Sequence, residues 1–384
     1  MTAQDGPPDG PQAAALRAMR LDSLLLTEDS AATAGTSPAT VVEWFGAMQA
    51  QDLASAMWSL GVRVAGADIA TVTAAIESGQ ILRTWPMRGT VHFVPPSDAR
   101  WMLELMGAKP LAGAARRRAF LGLSESDAEL ACEVLGQALA GGRVLTRAEC
   151  VEVMTAAGIT GATKHAYHLL WFTSQRGVTC IGPNRGSEQT FALLDDWAPQ
   201  QNQPDRWEAL ATIAWRFFRS HGPATRVDLG RWTGLGAADT KRAIAELGEE
   251  LATLVVAGTE YLLPADRVDG VQARLDQPGT RGGTWVLPGF DEFILGYKDR
   301  SLVLDDRFKE ALIPGSNGIF RPTLVVDGAV VGTWTRSIKS KCVQIDAVPF
   351  TRIAKSTRSA LETEFARYAR YLNTTADVRW AQPG

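Results

Sequence analysis

The 384-residue sequence holds only four cysteines and four histidines, and that scarcity closes off several chemistries. Cys132, Cys150, Cys180 and Cys342 lie far apart, so neither a CxxC metal site nor a compact disulfide framework is expected, and buried free thiols are the reading. Charge of either sign is in short supply too. Lys and Arg number 39 against 42 Asp and Glu, a net charge of −3, which excludes a chain that coats nucleic acid indiscriminately but leaves room for a local basic channel. No apolar run reaches the ~18 residues of a membrane span. The opening stretch, "MTAQDGPPDGPQAAALRAMR", lacks the charged start and apolar core of a secretory signal. A cytoplasmic protein without membrane contact is expected, with a loose Gly/Pro-rich tail over residues 1–12. GxSxG, HExxH and Walker loops are all missing, which removes the common small-molecule hydrolases.

What is present is ordinary globular composition, 46% hydrophobic and 21% charged, in a chain longer than one core usually serves. One pattern recurs along it: helix, short turn, second helix, then a β-hairpin. The clearest copy spans 205–278. "DRWEALATIAWRFFRSHG" carries Leu210, Ile213, Ala214 and Phe217 at helical spacing and stops at Gly222-Pro223. A short helix capped by Thr225 and a third helix follow, and then "LATLVVAGTEYLLP" turns at Ala257-Gly258. Helix, helix-turn-helix and a two-stranded wing make a winged helix.

A second copy fills 123–204, with a capping box at Thr146 to Glu149 and a hairpin tip "PNRGS". A first copy fills 13–122 and ends in "QILRTWPMRGTVHFVPP", read as strands broken by Pro86 and Gly89. From 279 to 384 strand-like runs joined by Gly and Asp turns, including Asp327-Gly328, precede a long helix. The fold expected is α+β: three tandem winged-helix units in a curved arrangement, then a β-rich C-terminal domain closed by a helix.

The segments "MQAQDLASAMWSLGVR", "ILRTWPMRGTVHFVPPSDARWML", "LPGFDEFILGYKDRS" and "GIFRPTLVVDGAVVGTW" stand in an order that resembles the winged-helix family of bacterial DNA glycosylases, which unhook bulky alkylated guanines. The resemblance covers roughly residues 13 to 375 and implies a monofunctional DNA glycosylase that needs no metal or cofactor. Its implied partner is double-stranded DNA carrying alkylated guanine, and a monomer acting at the nucleoid is expected. In that family the catalytic element is Gln, an apolar residue, then Gln or Asp; here it stands as Gln49-Ala50-Gln51. The Gln/Gln form resembles the antibiotic self-resistance branch.

Two neutral amides suit a restricted task. Each offers an acceptor and a donor, so a pair can orient a water against C1′ and face a cationic sugar, but neither is a strong base at neutral pH. An N7-alkylated guanine already carries positive charge and departs as a neutral molecule, so such a site selects for labile lesions. Read without the resemblance, Gln at i and i+2 on a helix point to different sides, one as decoration and the other as a cap partner.

Arg83, Arg88 and His92 alternate along the first wing as candidate phosphate contacts, and Lys164, His168 and Arg185 are candidate DNA contacts of the second unit. Arg116-Arg117-Arg118 reads as a solvated basic turn or a backbone contact. The acidic residues of "FDEFILGYKDRS" read as part of a fold-specifying Asp-Arg pair. The alternative function is a non-catalytic winged-helix DNA-binding protein such as a transcription regulator, which a lack of any dimerisation helix disfavours.

Overall fold

The computed structural model describes residues 10–270 and 283–382. Most of the tail expected over 1–12 lies outside the described residues, as does the boundary expected at 278/279. Where description begins, helix Pro11–Ser23 already takes up the last two positions of that tail.

The second unit shows the local logic most plainly. Helix Glu125–Leu139 opens on a capping box at Ser124, and helix Arg147–Ala156 on the expected box at Thr146. There the Thr146 hydroxyl accepts from the Glu149 N–H at 3.3 Å, and the Glu149 carboxylate accepts from the Thr146 N–H at 2.6 Å. Helix Ala162–Gln175 occupies the recognition position. In the third unit the corresponding helices are Arg206–His221, Arg226–Thr233 and Ala237–Leu247. In the first they are Pro38–Phe45, Leu53–Gly61 and Ile69–Glu77.

Each unit also has a short extended piece between its first two helices that pairs with the last wing strand. In the first unit this is β1 (Met48–Gln49), beside the wing β2 (Leu82–Met87) and β3 (Thr90–Val94). In the second it is β4 (Val144–Thr146), beside β5 (Thr179–Ile181) and β6 (Thr190–Leu193). In the third, with its wing β7 (Leu251–Val256) and β8 (Thr259–Pro264), Ala224 alone bridges to Leu262. The first two wings are not separate: Arg83 of β2 pairs with Ile181 of β5, so one six-stranded sheet runs β1-β3-β2-β5-β6-β4.

The C-terminal segment builds a five-stranded sheet from β9 (Thr284–Leu287), β10 (Thr323–Val326), β11 (Ala329–Ile338), β12 (Cys342–Pro349) and β13 (Thr375–Trp380). Helix Lys355–Tyr371 covers it through Leu361, Phe365 and Tyr368. That helix does not close the chain as expected, because β13 follows it and pairs parallel to β12. Pro86 does not break its strand either, since β2 runs through it with a bulge between Thr84 and Met87. The cluster Arg116 to Arg118 is no turn but part of helix Ala108–Leu121, where Arg118 is buried over the Phe172 ring and paired with Glu125. Trp58, Trp101 and Trp334 are core.

Candidate active site

The helix expected through the glutamine pair stops at Phe45, where Gly46 takes a φ of 80°. From there the chain runs extended, Met48 opposite Phe93 and Gln49 opposite His92, until Asp52 caps the next helix by accepting from the Ser55 N–H at 3.0 Å. In an extended chain side chains alternate with period two, so Met48 and Ala50 turn into the core while Gln49 and Gln51 stay outside. The helical reading, with the two amides on different sides, is thereby corrected.

Both carbonyl oxygens are tied to the first wing. Gln51 Oε1 accepts from the Val91 N–H at 3.1 Å, continuing the ladder that Ala50 N–H begins at the Val91 carbonyl. Gln49 Oε1 receives Arg88 Nη2 at 3.5 Å, the outer limit of a hydrogen bond. Each oxygen keeps a second lone pair, and neither amide nitrogen has a hydrogen bond to a described residue.

Arg88 reaches Gln49 because it sits in the two-residue turn of the wing, where Arg88 and Gly89 have φ of 54° and 72°. Positive φ at both positions is the twist that a tight hairpin requires, and a non-glycine residue held there is strained. The same guanidinium meets His92 Nε2 at 3.2 Å. His92 Nδ1 lies 2.8 Å from the Thr90 carbonyl, which only accepts, so Nδ1 carries the proton and Nε2 is the bare acceptor for Arg88. His92 is fully buried and its pKa is held well below the ordinary value by burial first and Arg88 second. It is a neutral support for Arg88, not the surface cation the sequence suggested.

Under the pair lies a carboxylate that sequence reasoning gave only a fold-specifying role. Glu292, buried, accepts the Gln49 backbone N–H at 3.2 Å through Oε1, while Oε2 faces Trp232 Nε1 at 2.9 Å and His221 Nε2 at 3.2 Å. Glu292 follows Asp291 in the "FDEF" segment, and Asp291 pairs with Arg63 of the first unit. The Asp-Arg pair read from this segment takes its arginine from outside it, since the partner of Asp291 is Arg63, 228 residues away.

The other candidates are scattered. Arg83 is only 5% exposed, too deep to meet a phosphate on the surface. Lys164 is exposed and lines a groove of about 550 Å³ with Gly89, His168 and Trp171. Arg185, half exposed, is held at 2.8 Å by Glu149 and at 2.9 Å by the Val144 carbonyl. An open cleft of about 340 Å³ adjoins Gln51, between the first wing and the second unit. No group of residues with metal-ligand character occurs among the described residues. No described helix is long and apolar enough to cross a membrane.

His168 shares the direction of His92: burial, then Arg118, Arg117 and His165, push it down to about 4. For both, the folded state binds its proton more weakly than the unfolded state, whose His titrates near ~6.5, so stability rises with pH across that window. The expected outcome is a Tm that is flat above pH ~7 and declines as pH falls from ~6.5 toward about 4. His168→Gln should reduce the decline, and a Tm that rises on acidification in this window would contradict the assignment.

A family model described as "DNA glycosylase AlkZ-like" matches residues 42–371. A curated relative, the interstrand DNA cross-link repair glycosylase of Streptomyces sahachiroi, is 29% identical over 338 residues, covering 84% of this chain and 87% of the relative. The solved structure of the Streptomyces sahachiroi DNA glycosylase AlkZ superposes with a TM-score of 0.78 at 26% identity, covering 97% of this chain and 99% of that one.

Proposed function

From the premise that the chain belongs to the AlkZ-like DNA glycosylases, we propose that it hydrolyses the N-glycosidic bond of bulky N7-alkylated guanine in duplex DNA. The lesions include those whose alkyl group bridges the two strands, the task named for the Streptomyces relative. The observation that carries this reading is the extended edge at Gln49-Ala50-Gln51, with both carbonyls tied to one hairpin. Held there, a water can donate to the second lone pair of either oxygen and direct its own lone pair at C1′.

The bond from water oxygen to C1′ forms as C1′–N9 breaks. The electron pair settles on the purine, cancelling its charge, and the proton leaves to solvent. The buried carboxylate Glu292 already accepts from the Gln49 and Trp232 N–H groups and faces His221 Nε2, and is not offered as a base. Without a strong base the site works on a leaving group that needs no protonation. The open cleft suits adducts too large for a closed base pocket. Exposed Lys164 and half-exposed Arg185 are the proposed backbone contacts. Repair of such damage, or self-resistance to the agent that causes it, is the role.

The test is a gel assay of base release by the wild-type chain. Its duplexes carry N7-methylguanine, a bulky N7-alkylguanine, an N7-linked crosslink or no lesion. Release from the alkylated duplexes and none from the unmodified one is expected. Salt-dependent DNA binding with no release from any N7 lesion would sink the proposal.

A further inference from the structure

Three guanidiniums form a chain of like charge that ends at Gln49. Arg88 comes from the turn of the first wing, Arg231 from the last turn of helix Arg226–Thr233 in the third unit, and Arg300 from the C-terminal segment. Gly234 of the third unit lies against the Arg88 stem, where a Cβ would meet Cγ at 3.5 Å. Arg231 opposes the charges of both the others. Among the described residues none of the three has an ion pair. The carboxylates whose field reaches Arg88 and Arg300 are bonded elsewhere: Glu292 as above, Asp228 to the Lys298 N–H at 2.8 Å and within its own capping box, and Asp299 to the Ser301 N–H at 2.9 Å. Arg300 is held by the Ile294 carbonyl and the Phe320 ring. Arg231 is exposed, and Arg88 keeps donors in reserve. Its Nη2 serves Gln49 and His92, its Nη1 meets only the Met87 sulfur at 3.7 Å, and its Nε has no partner among the described residues. Burial brings the Arg88 pKa down only to about 10, so at neutral pH the charge remains.

A cation left alone at that place works against the reaction. Gln49 faces a sugar that becomes cationic, and a guanidinium at 3.5 Å from its oxygen raises the energy of that charge unless an anion arrives with the substrate. The substrate brings two, one on each side of the lesion sugar. They differ in direction: the 3′ oxygen leaves deoxyribose on the face opposite the base, whereas C5′ lies on the base's own face. Water that attacks C1′ as C1′–N9 breaks also comes from the face opposite the base. The amide that holds the water, and the guanidinium beside it, therefore stand on the side of the 3′ phosphate.

We propose that Arg88 is a positioning residue that binds the phosphate on the 3′ side of the lesion nucleotide through Nη1 and Nε, while Nη2 keeps Gln49 and His92. Arg231 supports that phosphate from the solvent side. The inference rests on the glycosylase reading above and deepens it, because one guanidinium then ties the DNA backbone to the amide. The place of the sugar sets the place of the water. The phosphate also cancels the charge that would oppose the oxocarbenium, so Arg88 is neutralised only when a nucleotide stands in register.

The experiment is a double-mutant cycle between protein and DNA, read as single-turnover release of the alkylated base by chromatography. One strand of the duplex has a single guanine, alkylated at N7 by a monofunctional nitrogen mustard. The phosphate on its 3′ side, on its 5′ side or on neither is replaced by an uncharged methylphosphonate. Wild type and Arg88→Met are compared on all three duplexes, with Tm as the control for folding. Arg88→Met is expected to slow release from the natural backbone by about 10- to 100-fold, the range for a hydrogen bond to a charged group. The 3′ methylphosphonate should slow wild type by a similar factor and leave Arg88→Met within about threefold of its own rate, because the contact is already gone. The 5′ replacement should leave both proteins within about threefold of their rates on the natural backbone. Losses that multiply when Arg88→Met meets the 3′ methylphosphonate, a 5′ replacement that slows wild type as much as the 3′ one, or no loss in Arg88→Met overturns the assignment and leaves the glycosylase standing. If Arg88→Met does not fold, the preference of wild type for an intact 3′ over an intact 5′ phosphate still decides it. Wild type inert on the alkylated duplex with its natural backbone overturns the glycosylase reading itself.

Discussion

Replacing Gln49 and Gln51 together by alanine is expected to lower single-turnover base release by about 10²-fold or more, the loss typical when a preorganised polar group is removed from a transition state. DNA affinity and its salt dependence should persist, because the proposed phosphate contacts, Lys164 and Arg185 among them, are other residues. The physical reason lies in the edge strand. Each amide is anchored by one bond to the first wing, Arg88 for Gln49 and the Val91 N–H for Gln51, which sets its direction before DNA arrives. Alanine leaves no polar group at either position. It also leaves the Val91 N–H without its partner, so a small fall in Tm is part of the expectation and must be measured alongside. On the proposal that the pair acts on one water, the single variants should each lose most of what the double variant loses. Gln51→Asp, which keeps an oxygen acceptor on a side chain one methylene shorter, should retain activity. A double-alanine protein releasing base within tenfold of wild type would remove both glutamines from the mechanism.

Much of this site was legible in the sequence and some of it was not, for identifiable reasons. The helical pairs of the second and third units declared themselves through caps: Thr146-x-x-Glu149 and Thr225 stand where the backbone needs them. The two-residue strand β1 did not, since two residues give no periodicity to count. Its signal was nonetheless present in "MQAQ", where apolar and amide residues alternate with the period of a strand inside a segment otherwise spaced as helix. Pro86 misled because a β-bulge accommodates a residue that a regular ladder would reject. His92 and Arg83 looked like surface cations because alternation along a strand says which face a residue takes and nothing about what covers that face. Glu292 was read only as part of a fold-specifying segment, and its place beneath the glutamine pair was beyond reach. The hydrogen bond it accepts from Gln49 spans 243 residues, and no local pattern encodes the packing of the C-terminal segment against the first unit.

That packing is where the second large effect is expected. Asp291→Ala or Arg63→Ala should each destabilise the fold by about 3–5 kcal/mol, the cost of leaving one half of a buried ion pair alone. The side chains are 0% and 1% exposed, and the contact is bidentate, with Nη1 to Oδ2 and Nη2 to Oδ1 both at 2.8 Å. Ser59 Oγ donates to the same carboxylate at 2.6 Å, and Arg63 Nε reaches the Leu24 carbonyl at 2.8 Å. Burial alone would raise the Asp291 pKa. Arg63 beside it, with Ser59 and the Phe293 N–H, outweighs burial and leaves the carboxyl below its ordinary value. A depressed folded pKa means that this stabilisation is present above the unfolded value of ~3.9 and is lost as pH falls through the folded one. Replacing both partners by apolar residues, Arg63→Met with Asp291→Leu, should cost far less than either alanine variant, because no charge is then left buried. Denaturant unfolding of the four proteins decides this, and an alanine variant within 1 kcal/mol of wild type would refute it. The consequence reaches the chemistry through the chain itself. Asp291 precedes the carboxylate that holds the Gln49 N–H, so the apolar double variant, folded but free to shift Glu292, should release base more slowly than wild type at equal DNA affinity. Unchanged release by that folded variant would mean that Glu292 keeps its place without the ion pair.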